Sequence, residues 1–175
     1  MSVLSIDFGK FIEENKHLLV PPVSNKTIFA TNEYIVMVVG GPNSRTDYHV
    51  NQTEEFFYQL EGKAEVNIVD PVTGEFRNIV LDAGKMAIVP ANTPHNPVRH
   101  AGSLGLVVER FRGTEYVDQM RWYCAKCKHL VHKVEFVCDN IDRDIANTIE
   151  GAKANDFAAL ICSECGHHNK TYREQ

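Results

Sequence analysis

Residues 64–69 are Ala-Glu-Val-Asn-Ile-Val, an alternation of apolar and polar side chains. Successive side chains of a β-strand point to opposite faces, so this period of two predicts a strand with one buried face. Comparable short segments occur on both sides of it, separated by turn residues. They are residues 34–39, 76–81, 86–89 and 104–108. Many short strands at regular spacing predict a sandwich or barrel, since closing a sheet removes its exposed edges.

The segment before these strands has a different pattern. Phe8, Phe11 and Ile12 lie close to helical spacing within residues 7–19, and Pro21-Pro22 follows. Proline cannot continue a helix, because it has no amide proton and its ring clashes with the preceding turn. We therefore expect an N-terminal helix that ends before the prolines and packs on the outside of the strands.

The composition changes again near Arg121. Beyond it, two Cys-x2-Cys pairs flank a strand-like stretch at 131–137 and a weakly helical stretch at 141–160. We therefore predict two units. Residues 1–120 form the barrel with its N-terminal helix, and residues 121–175 form a small C-terminal unit.

The bulk composition is that of an ordinary soluble, globular protein. Of 175 residues, 43% are hydrophobic and 23% are charged. The longest apolar runs are far too short to span a bilayer, and no basic segment followed by an apolar run begins the chain. The net charge of −5 argues against a nucleic-acid-binding surface. We expect a cytoplasmic protein that binds neither membranes nor nucleic acid.

Three residues of metal-ligating type stand out: His49, Glu55 and His95. On one extended strand, six residues cover roughly 20 Å, whereas two ligands of one ion each lie about 2 Å from it. The chain must therefore reverse between His49 and Glu55, and residues 51–53 (Asn-Gln-Thr) are suitable turn material. Two histidines and one carboxylate are the usual ligands of non-haem Fe(II) oxygenases, with three coordination positions left free. A bidentate substrate and dioxygen would fill those positions.

Two arginines lie four residues from these histidines. Arg45 precedes His49 and Arg99 follows His95, so both guanidiniums are candidates for binding an anionic ligand. The alternative is that each arginine belongs to a surface ion pair, worth about 0–1 kcal/mol. Likewise, a single histidine or glutamate is more often a hydrogen-bonded or solvated side chain than a ligand. The combination of these residues favours the metal site.

The spacing of these residues resembles the two motifs of the cupin superfamily. The motifs are Gly41-x5-Asp47-x-His49-x5-Glu55-x6-Gly62 and Gly84-x5-Pro90-x-Asn92-x2-His95-x3-Arg99. Asp47 stands where many cupins place a first histidine, so the resemblance implies a site with three ligands. It also implies a mainly β fold, the double-stranded β-helix or jelly-roll barrel.

Several longer segments resemble the 3-hydroxyanthranilate 3,4-dioxygenase family, over essentially the whole chain. They are residues 17–23, 40–49, 54–59, 107–110 and 122–132. The resemblance implies an extradiol-type enzyme that opens the aromatic ring beside its hydroxyl group during tryptophan (kynurenine) catabolism. The product, 2-amino-3-carboxymuconate semialdehyde, cyclises to quinolinate, the precursor of the NAD pyridine ring.

The same resemblance implies roles for six residues. Fe(II) is held by His49, Glu55 and His95, and the substrate is contacted by Arg45, Arg99 and Glu109. We expect Arg99 to bind the substrate carboxylate and Glu109 to accept a substrate proton or orient that arginine. We expect Arg45 near dioxygen and the substrate rim, with Asp47 orienting a ligand or an arginine. Arg45 and Glu109 are thus the predicted catalytic residues beside the metal.

The C-terminal unit contains a second candidate metal site. Its four thiols are Cys124, Cys127, Cys162 and Cys165. Four thiolates in two Cys-x2-Cys pairs predict a closed tetrahedral site of structural type, for zinc or iron. Affinity order favours zinc, whereas the family resemblance implies a rubredoxin-like iron. The metal is left open at this point.

Two other functions remain open from sequence alone. One is a different cupin metalloenzyme, such as another aromatic dioxygenase or an isomerase. The other is a metal-sensing or nucleic-acid-binding protein whose cysteine tail is a zinc ribbon, although the acidic charge balance weighs against it. The expected partners are the small-molecule substrate and O2, and the family resemblance further implies a homodimer.

Overall fold

The computed structural model describes residues 3–19, 24–154 and 158–172. Eleven strands and two α-helices occur among them. The strands are β1 (Asn25–Ala30), β2 (Tyr34–Gly40), β3 (Tyr48–Val50), β4 (Glu55–Glu61), β5 (Lys63–Val69), β6 (Phe76–Asp82), β7 (Met86–Val89), β8 (His95–Arg99), β9 (Leu104–Arg110), β10 (Asp118–Tyr123) and β11 (Leu130–Phe136). The helices are α1 (Phe8–Asn15) and α2 (Ile141–Lys153), with single 3-10 turns at Lys16–Leu18 and Ala158–Leu160.

The strands form two antiparallel sheets. One has the order β1-β2-β9-β4-β7, and the other has the order β11-β10-β3-β8-β5-β6. The two sheets share one core, because inward side chains of both pack together: Met37, Phe57 and Val107 from the first sheet, Val66 and Leu81 from the second. This confirms the predicted mainly β, cupin-type jelly-roll barrel with an N-terminal helix.

Inward positions of the strands include polar as well as apolar side chains. On β4 the buried side chains are Glu55, Phe57 and Gln59, and on β9 they include Val107 and Glu109. Side chains that point inward beyond the apolar core cannot reach bulk water, so they need partners within the barrel. One end of the barrel interior is therefore a polar site.

Helix α1 is shorter than the predicted segment 7–19. Asp7 caps it by accepting a hydrogen bond from the amide of Lys10 at 3.0 Å, a standard way to satisfy a free amide at a helix start. The helix contains no buried residue, as expected for an element on the outside. The predicted stop at Pro21-Pro22 lies outside the described residues. No helix of the described chain is long and apolar enough to span a membrane.

The C-terminal region continues the second sheet. Strand β10 pairs with β3 on one side and with β11 on the other. The predicted boundary between residues 120 and 121 falls within β10, and the division into two units stays a prediction. Helix α2 occupies the first part of the stretch predicted as weakly helical and packs against β10 in a second apolar cluster. That cluster is Met120, Trp122, Ile145, Ile149, Ala152 and Leu160.

The chain returns to the barrel after the last cysteine. The amide of Thr46 donates to the carbonyl of Thr171 at 3.1 Å, and the Thr46 hydroxyl donates to the carbonyl of Lys170 at 2.6 Å. An isolated antiparallel bridge joins Arg45 to Tyr172. The C-terminal segment is thus hydrogen-bonded beside the strand that carries the first histidine of the predicted site.

Candidate active site

The structure brings His49, Glu55 and His95 together at the polar end of the barrel. His49 on β3 and His95 on β8 are directly paired residues of the second sheet, and Glu55 begins β4 in the first sheet. One ligand atom from each residue lies within 4.8 Å of the others, and all three side chains are buried. The site therefore spans both sheets of the barrel.

The chain reverses between His49 and Glu55, as their spacing required. Asn51 in the turn donates from Nδ2 to Glu55 Oε1 at 2.6 Å. Its carbonyl accepts from the amide of Asn92 at 2.7 Å, which fastens the turn to the loop that leads to His95. The same short turn thus orients the carboxylate and the loop that precedes the second histidine.

Each histidine directs one ring nitrogen to Glu55 and the other to an oxygen acceptor. His95 Nε2 lies 3.3 Å from Glu55 Oε1, and its Nδ1 lies 3.0 Å from the carbonyl oxygen of Thr93. His49 Nδ1 lies 3.6 Å from Glu55 Oε1, and its Nε2 lies 2.7 Å from Asp118 Oδ2. An acceptor behind an imidazole fixes its tautomer and leaves the other nitrogen free to bind a metal.

The charges of the cluster favour a cation. Burial lowers the pKa of His49, but Asp118 and Glu55 outweigh it and raise this pKa to about 9. Burial raises the pKa of Glu55, whereas His95 and His49 hold it well below the usual range. The cluster thus attracts positive charge, and two nitrogens and one carboxylate oxygen match the donor set of a facial metal site. The residues fit a metal ion.

Sequence reasoning missed Asp118 and Arg112. Arg112 donates from Nη1 to Glu109 Oε2 at 2.9 Å and from Nη2 to Asp118 Oδ2 at 3.0 Å. These side chains are buried, and Asp118 in turn contacts His49. A signal for Asp118 existed in the chain. Asp118, Met120 and Trp122 share one face of β10, so an acidic residue occupies a position in an otherwise apolar buried row.

Arg45 lies beside Asp47, which sequence analysis proposed as an orienting residue. Arg45 Nε donates to Asp47 Oδ1 at 3.1 Å, and Asp47 is almost completely buried. Asn96 Nδ2 donates to the backbone carbonyls of Arg45 and Asp47, at 3.0 Å and 2.7 Å. The guanidinium of Arg45 is therefore held by a carboxylate, and its backbone is held by a neighbouring strand.

Arg99 has different surroundings. Its side chain is buried, and Nη1 donates to Gln59 Oε1 at 3.1 Å. Its Nε has no hydrogen-bond partner, and among the described residues no carboxylate lies within ion-pair distance of it. Burial lowers the pKa of Arg99 to about 10. A buried cation without a counterion is costly, so this position suits an anionic ligand.

Glu109 lies beside Glu55 in the first sheet, since the two residues are direct partners on the adjacent strands β9 and β4. Its Oε2 accepts from Arg112, whereas its Oε1 is buried and has no partner. Burial and the neighbouring Glu55 raise the pKa of Glu109 to about 7, although Arg112 opposes the shift. One oxygen of this carboxylate is thus available to a hydrogen-bond donor.

A single cavity connects these groups. All six residues predicted for the metal and the substrate line it, together with apolar side chains. The apolar lining residues include Met37, Phe57, Pro97, Val107, Ile141 and Ile145. Ile141 and Ile145 belong to α2, so the C-terminal region forms part of the cavity wall. The cavity therefore combines a metal-binding corner, a cation, a free carboxylate oxygen and an apolar wall.

The four predicted cysteines also come together. Cys124 Sγ lies 3.6 Å from Cys165 Sγ, and Cys127 Sγ lies 3.5 Å from Cys162 Sγ. Four sulfurs around a metal at 2.3 Å are about 3.8 Å apart in a tetrahedron. The two Cys-x2-Cys turns are also alike, because Cys124 and Cys162 each donate from their amides to a carbonyl five residues later. The sulfurs fit a tetrahedral metal ion.

The chain is similar to proteins of one family over nearly its full length. The family model described as 3-hydroxyanthranilic acid dioxygenase matches residues 1–153. The 3-hydroxyanthranilate 3,4-dioxygenase of Neurospora crassa is 44% identical over 161 residues, 92% of this chain and 87% of that protein. The protein of the same name from Candida albicans is 41% identical over 169 residues, 97% of this chain and 96% of that protein.

Solved structures with a related arrangement are more distant. A cupin-2 domain protein from Shewanella frigidimarina is 23% identical with a TM-score of 0.47, and the match covers 61% of this chain and 94% of that chain. Hydroquinone 1,2-dioxygenase from Sphingomonas is 15% identical with a TM-score of 0.46, and the match covers 65% and 82%.

Proposed function

The chain belongs to the 3-hydroxyanthranilic acid dioxygenase family, and from that premise we propose the reaction that it catalyses. It cleaves the aromatic ring of 3-hydroxyanthranilate with dioxygen and forms 2-amino-3-carboxymuconate semialdehyde. This reaction belongs to tryptophan degradation through kynurenine and leads to quinolinate and NAD. Relatives that are named for this activity align over 92% and 97% of the chain.

The metal that we propose for the cluster of His49, Glu55 and His95 is Fe(II). Two imidazole nitrogens and one carboxylate are the ligands typical of non-haem Fe(II) oxygenases, and the three side chains are buried within 4.8 Å of one another. When bound, the iron would orient both reactants and carry electrons between them. The surrounding residues then have three tasks: to bind the substrate, to receive its proton and to exclude water.

The observation that best supports this proposal is the environment of the Arg99 guanidinium. This group is buried without a carboxylate partner among the described residues, and it lines the same cavity as the three metal-ligating groups. A substrate carboxylate would supply the missing charge through a forked, charge-assisted pair of hydrogen bonds. 3-Hydroxyanthranilate has such a carboxylate next to its amino group, and its hydroxyl group lies on the other side of that amino group.

Glu109 and Arg45 complete the proposed substrate site. Glu109 Oε1 is buried without a partner, so we assign it to accept a proton from the substrate's hydroxyl or amino group. Arg45 is partly exposed at the cavity and is paired with Asp47. We assign it to the substrate rim near dioxygen, where its charge favours the anionic substrate. The apolar side chains of the wall would cover the ring and exclude water.

Aerobic mixing of the reduced, iron-loaded protein with 3-hydroxyanthranilate tests this function. We expect oxygen to be consumed and the ring-opened product to form, with one mole of oxygen consumed per mole of product measured by its absorbance. Catechol and gentisate are the comparison substrates, because they lack the carboxylate and amino group in this arrangement. Absence of oxygen uptake at full iron occupancy with 3-hydroxyanthranilate, or faster uptake with catechol or gentisate, would contradict the proposal.

The four-cysteine cluster is proposed as a structural metal site for iron or zinc. A closed set of four thiolates leaves no position for substrate. Elemental analysis together with the visible spectrum distinguishes the metals, because ferric thiolate absorbs in the visible range and zinc thiolate does not. A preparation that folds fully with no metal at these cysteines would contradict the structural role.

We also propose that two copies of the chain associate. Met86 and Ile88 of the edge strand β7 are each 62% exposed, and Tyr34 of β2 is 51% exposed on the same outer face of the first sheet. Exposed apolar side chains grouped on one face are typical of an interface. Analytical ultracentrifugation of the wild-type protein and of a Met86→Lys, Ile88→Lys double variant tests this proposal. We expect a dimer for the wild type and a monomer for the variant, and a monomeric wild-type protein would contradict the proposal.

The proposed setting is the cytoplasm, without nucleic-acid or membrane partners. The net charge of −5 disfavours binding to polyanions. A gel-shift measurement with duplex DNA and with RNA tests the first part, and retention of either at physiological salt would contradict it. Cell fractionation tests the location.

A further inference from the structure

We propose that Arg112 is a positioning residue that fixes the carboxylate of Glu109 and the imidazole of His49 relative to each other. This inference rests on the proposed function, because it assigns the residue that aligns the substrate-binding carboxylate with the metal. Arg112 does not line the cavity. It therefore acts through its two neighbours and does not contact the reactants.

The contact geometry is that of a two-pronged clamp. Nη1 of Arg112 donates to Glu109 Oε2 at 2.9 Å, and Nη2 donates to Asp118 Oδ2 at 3.0 Å. The same Asp118 oxygen lies 2.7 Å from His49 Nε2. The side chains of Arg112, Glu109 and Asp118 are only 3%, 1% and 1% exposed. Three hydrogen bonds, two of them to the same oxygen of Asp118, thus connect Glu109 to a metal-ligating imidazole.

The clamp connects the two sheets of the barrel. Glu109 lies on β9 of the first sheet, and Asp118 begins β10 of the second. His49 is on β3, the strand that pairs with β10. Besides the contacts of Glu55 with His49 and His95, this guanidinium therefore joins the two sheets at this end of the barrel. The planar fork of the guanidinium holds both carboxylates at a fixed separation. A lysine ammonium is a single point of charge and does this less well.

The clamp also determines which atoms face the cavity. Because Oε2 of Glu109 is taken by Arg112, the unpartnered Oε1 is the oxygen left for a substrate proton. Because Nε2 of His49 is taken by Asp118, Nδ1 is the nitrogen left to face Glu55. Loss of the clamp would let both side chains rotate, so metal affinity and substrate affinity would decline together although every direct ligand is still present.

The experiment compares Arg112→Lys, Arg112→Ala and the matched control Arg110→Lys. Arg110 lies two residues earlier, and its side chain is 58% exposed. Three quantities are measured for each purified variant: affinity for Fe(II) without substrate, anaerobic affinity for 3-hydroxyanthranilate, and Tm. Loss of an outer partner of a metal ligand typically weakens metal binding 10- to 100-fold. For Arg112→Lys we expect both affinities to fall at least about tenfold, with no change in Arg110→Lys.

Chemical rescue of the Arg112→Ala variant distinguishes a positioning role of Arg112 from a general loss of stability. Free guanidinium at millimolar concentration should restore Fe(II) affinity to folded Arg112→Ala, whereas methylammonium should not, because only the planar fork bridges both carboxylates. If Arg112→Ala does not fold, Arg112→Lys alone decides the matter through its two affinities. Unchanged Fe(II) and substrate affinities in Arg112→Lys, with only Tm lowered, would overturn the proposal, as would rescue by both cations equally.

Failure of this inference is distinguishable from failure of the proposed function. The Fe(II) affinity of the variants is measured without substrate and does not depend on which substrate the enzyme uses. If the wild-type protein binds Fe(II) but does not oxidise 3-hydroxyanthranilate, the proposed function fails, while the Fe(II) affinities still decide whether Arg112 orients the metal site.

Discussion

The guanidinium of Arg99 lies directly against the backbone of Gly105. Arg99 ends β8 in one sheet and Gly105 lies near the start of β9 in the other, so this arginine crosses the barrel interior. A β-carbon at position 105 would coincide with the space that Nη1 of Arg99 occupies. The absence of a side chain at residue 105 is thus what allows the cation to reach its place in the cavity.

Substitution of Gly105 by alanine should therefore move Arg99. The contact is with the far end of a flexible side chain, so we expect the protein to fold with the guanidinium displaced from its hydrogen bond to Gln59. Substrate affinity, measured as anaerobic Kd, should weaken about tenfold while Fe(II) content is unchanged. Gly151→Ala is the control, since a β-carbon there meets no atom within 4 Å. Equal Kd values for the two variants would disprove this relationship.

Removing the charge of Arg99 should separate binding from stability. Arg99→Met should raise KM roughly 10- to 100-fold, because a hydrogen bond to a charged group contributes about 1.5–3 kcal/mol. Its Tm should stay equal or rise, because the substitution removes a buried cation that has no counterion among the described residues. Burial of such a charge is unfavourable. Steady-state kinetics and thermal unfolding measure the two effects, with the exposed Arg77→Met as control. A large fall in Tm with unchanged KM would show that Arg99 is structural.

Replacement of a metal-ligating histidine should remove one metal and leave the other. His49→Ala should lose Fe(II) and turnover together, so that elemental analysis finds metal only at the four-cysteine cluster. The matched control is His100→Ala, whose side chain is 47% exposed and pairs with Glu65 on the surface. Full Fe(II) occupancy in His49→Ala would contradict the assignment of this ligand.

The cysteine cluster should stabilise the C-terminal region without taking part in the reaction. In Cys162→Ser we expect loss of one metal per chain and faster amide exchange in β11 and α2, because the cluster ties the segments that flank them. Ser163→Ala is the control, since Ser163 lies between Cys162 and Cys165, is exposed and is not among the four sulfurs. Retained metal in Cys162→Ser, measured after dialysis against a chelator, would rule out its role as a ligand.

Helix α2 should contribute to substrate binding through Ile141. Ile141→Ala removes apolar surface from the cavity wall, and each buried methylene contributes about 0.8 kcal/mol. Because Ile141 is only partly buried, we expect KM to rise roughly 3- to 30-fold, with Fe(II) content unchanged. Val80→Ala, on the exposed side of β6, is the comparison. A KM for Ile141→Ala equal to that of Val80→Ala would exclude a contact between this residue and the substrate.

The sequence predicted those parts of the site that depend on spacing. His49 and Glu55 could share an ion only if the chain reversed between them, and Asn51 lies in that turn. Likewise, two Cys-x2-Cys pairs require little beyond local turn geometry to present their sulfurs. Alternation of side chains in residues 64–69 predicted β5 and its buried face, because a strand has one period whatever its surroundings.

Other parts depend on contacts between distant segments, and no local pattern encodes them. Arg112 lies between β9 and β10, in a segment without motif or periodicity, and Asp118 begins β10. The alternation in β10 indicates that Asp118 is buried, but its hydrogen bonds to Arg112 and His49 become visible only when β10 is placed beside β3. For the same reason the composition change near Arg121 did not coincide with the start of β10. Residues 141–160 were predicted only as weakly helical, and the sequence did not show that Ile141 would line the cavity.

The hydrogen bonds that join Thr46 to Lys170 and Thr171 can form only after residues 170 and 171 have been added to the nascent chain. Thr46 and Lys170 are 124 positions apart. At the usual translation rate of about 5–20 residues per second, roughly 6 to 25 s separate their addition to the nascent chain. During that interval the barrel strands can already pair, whereas the backbone beside Arg45 still faces water or a chaperone. The backbone beside Arg45, a residue that lines the cavity, therefore obtains these hydrogen-bond partners only late in translation.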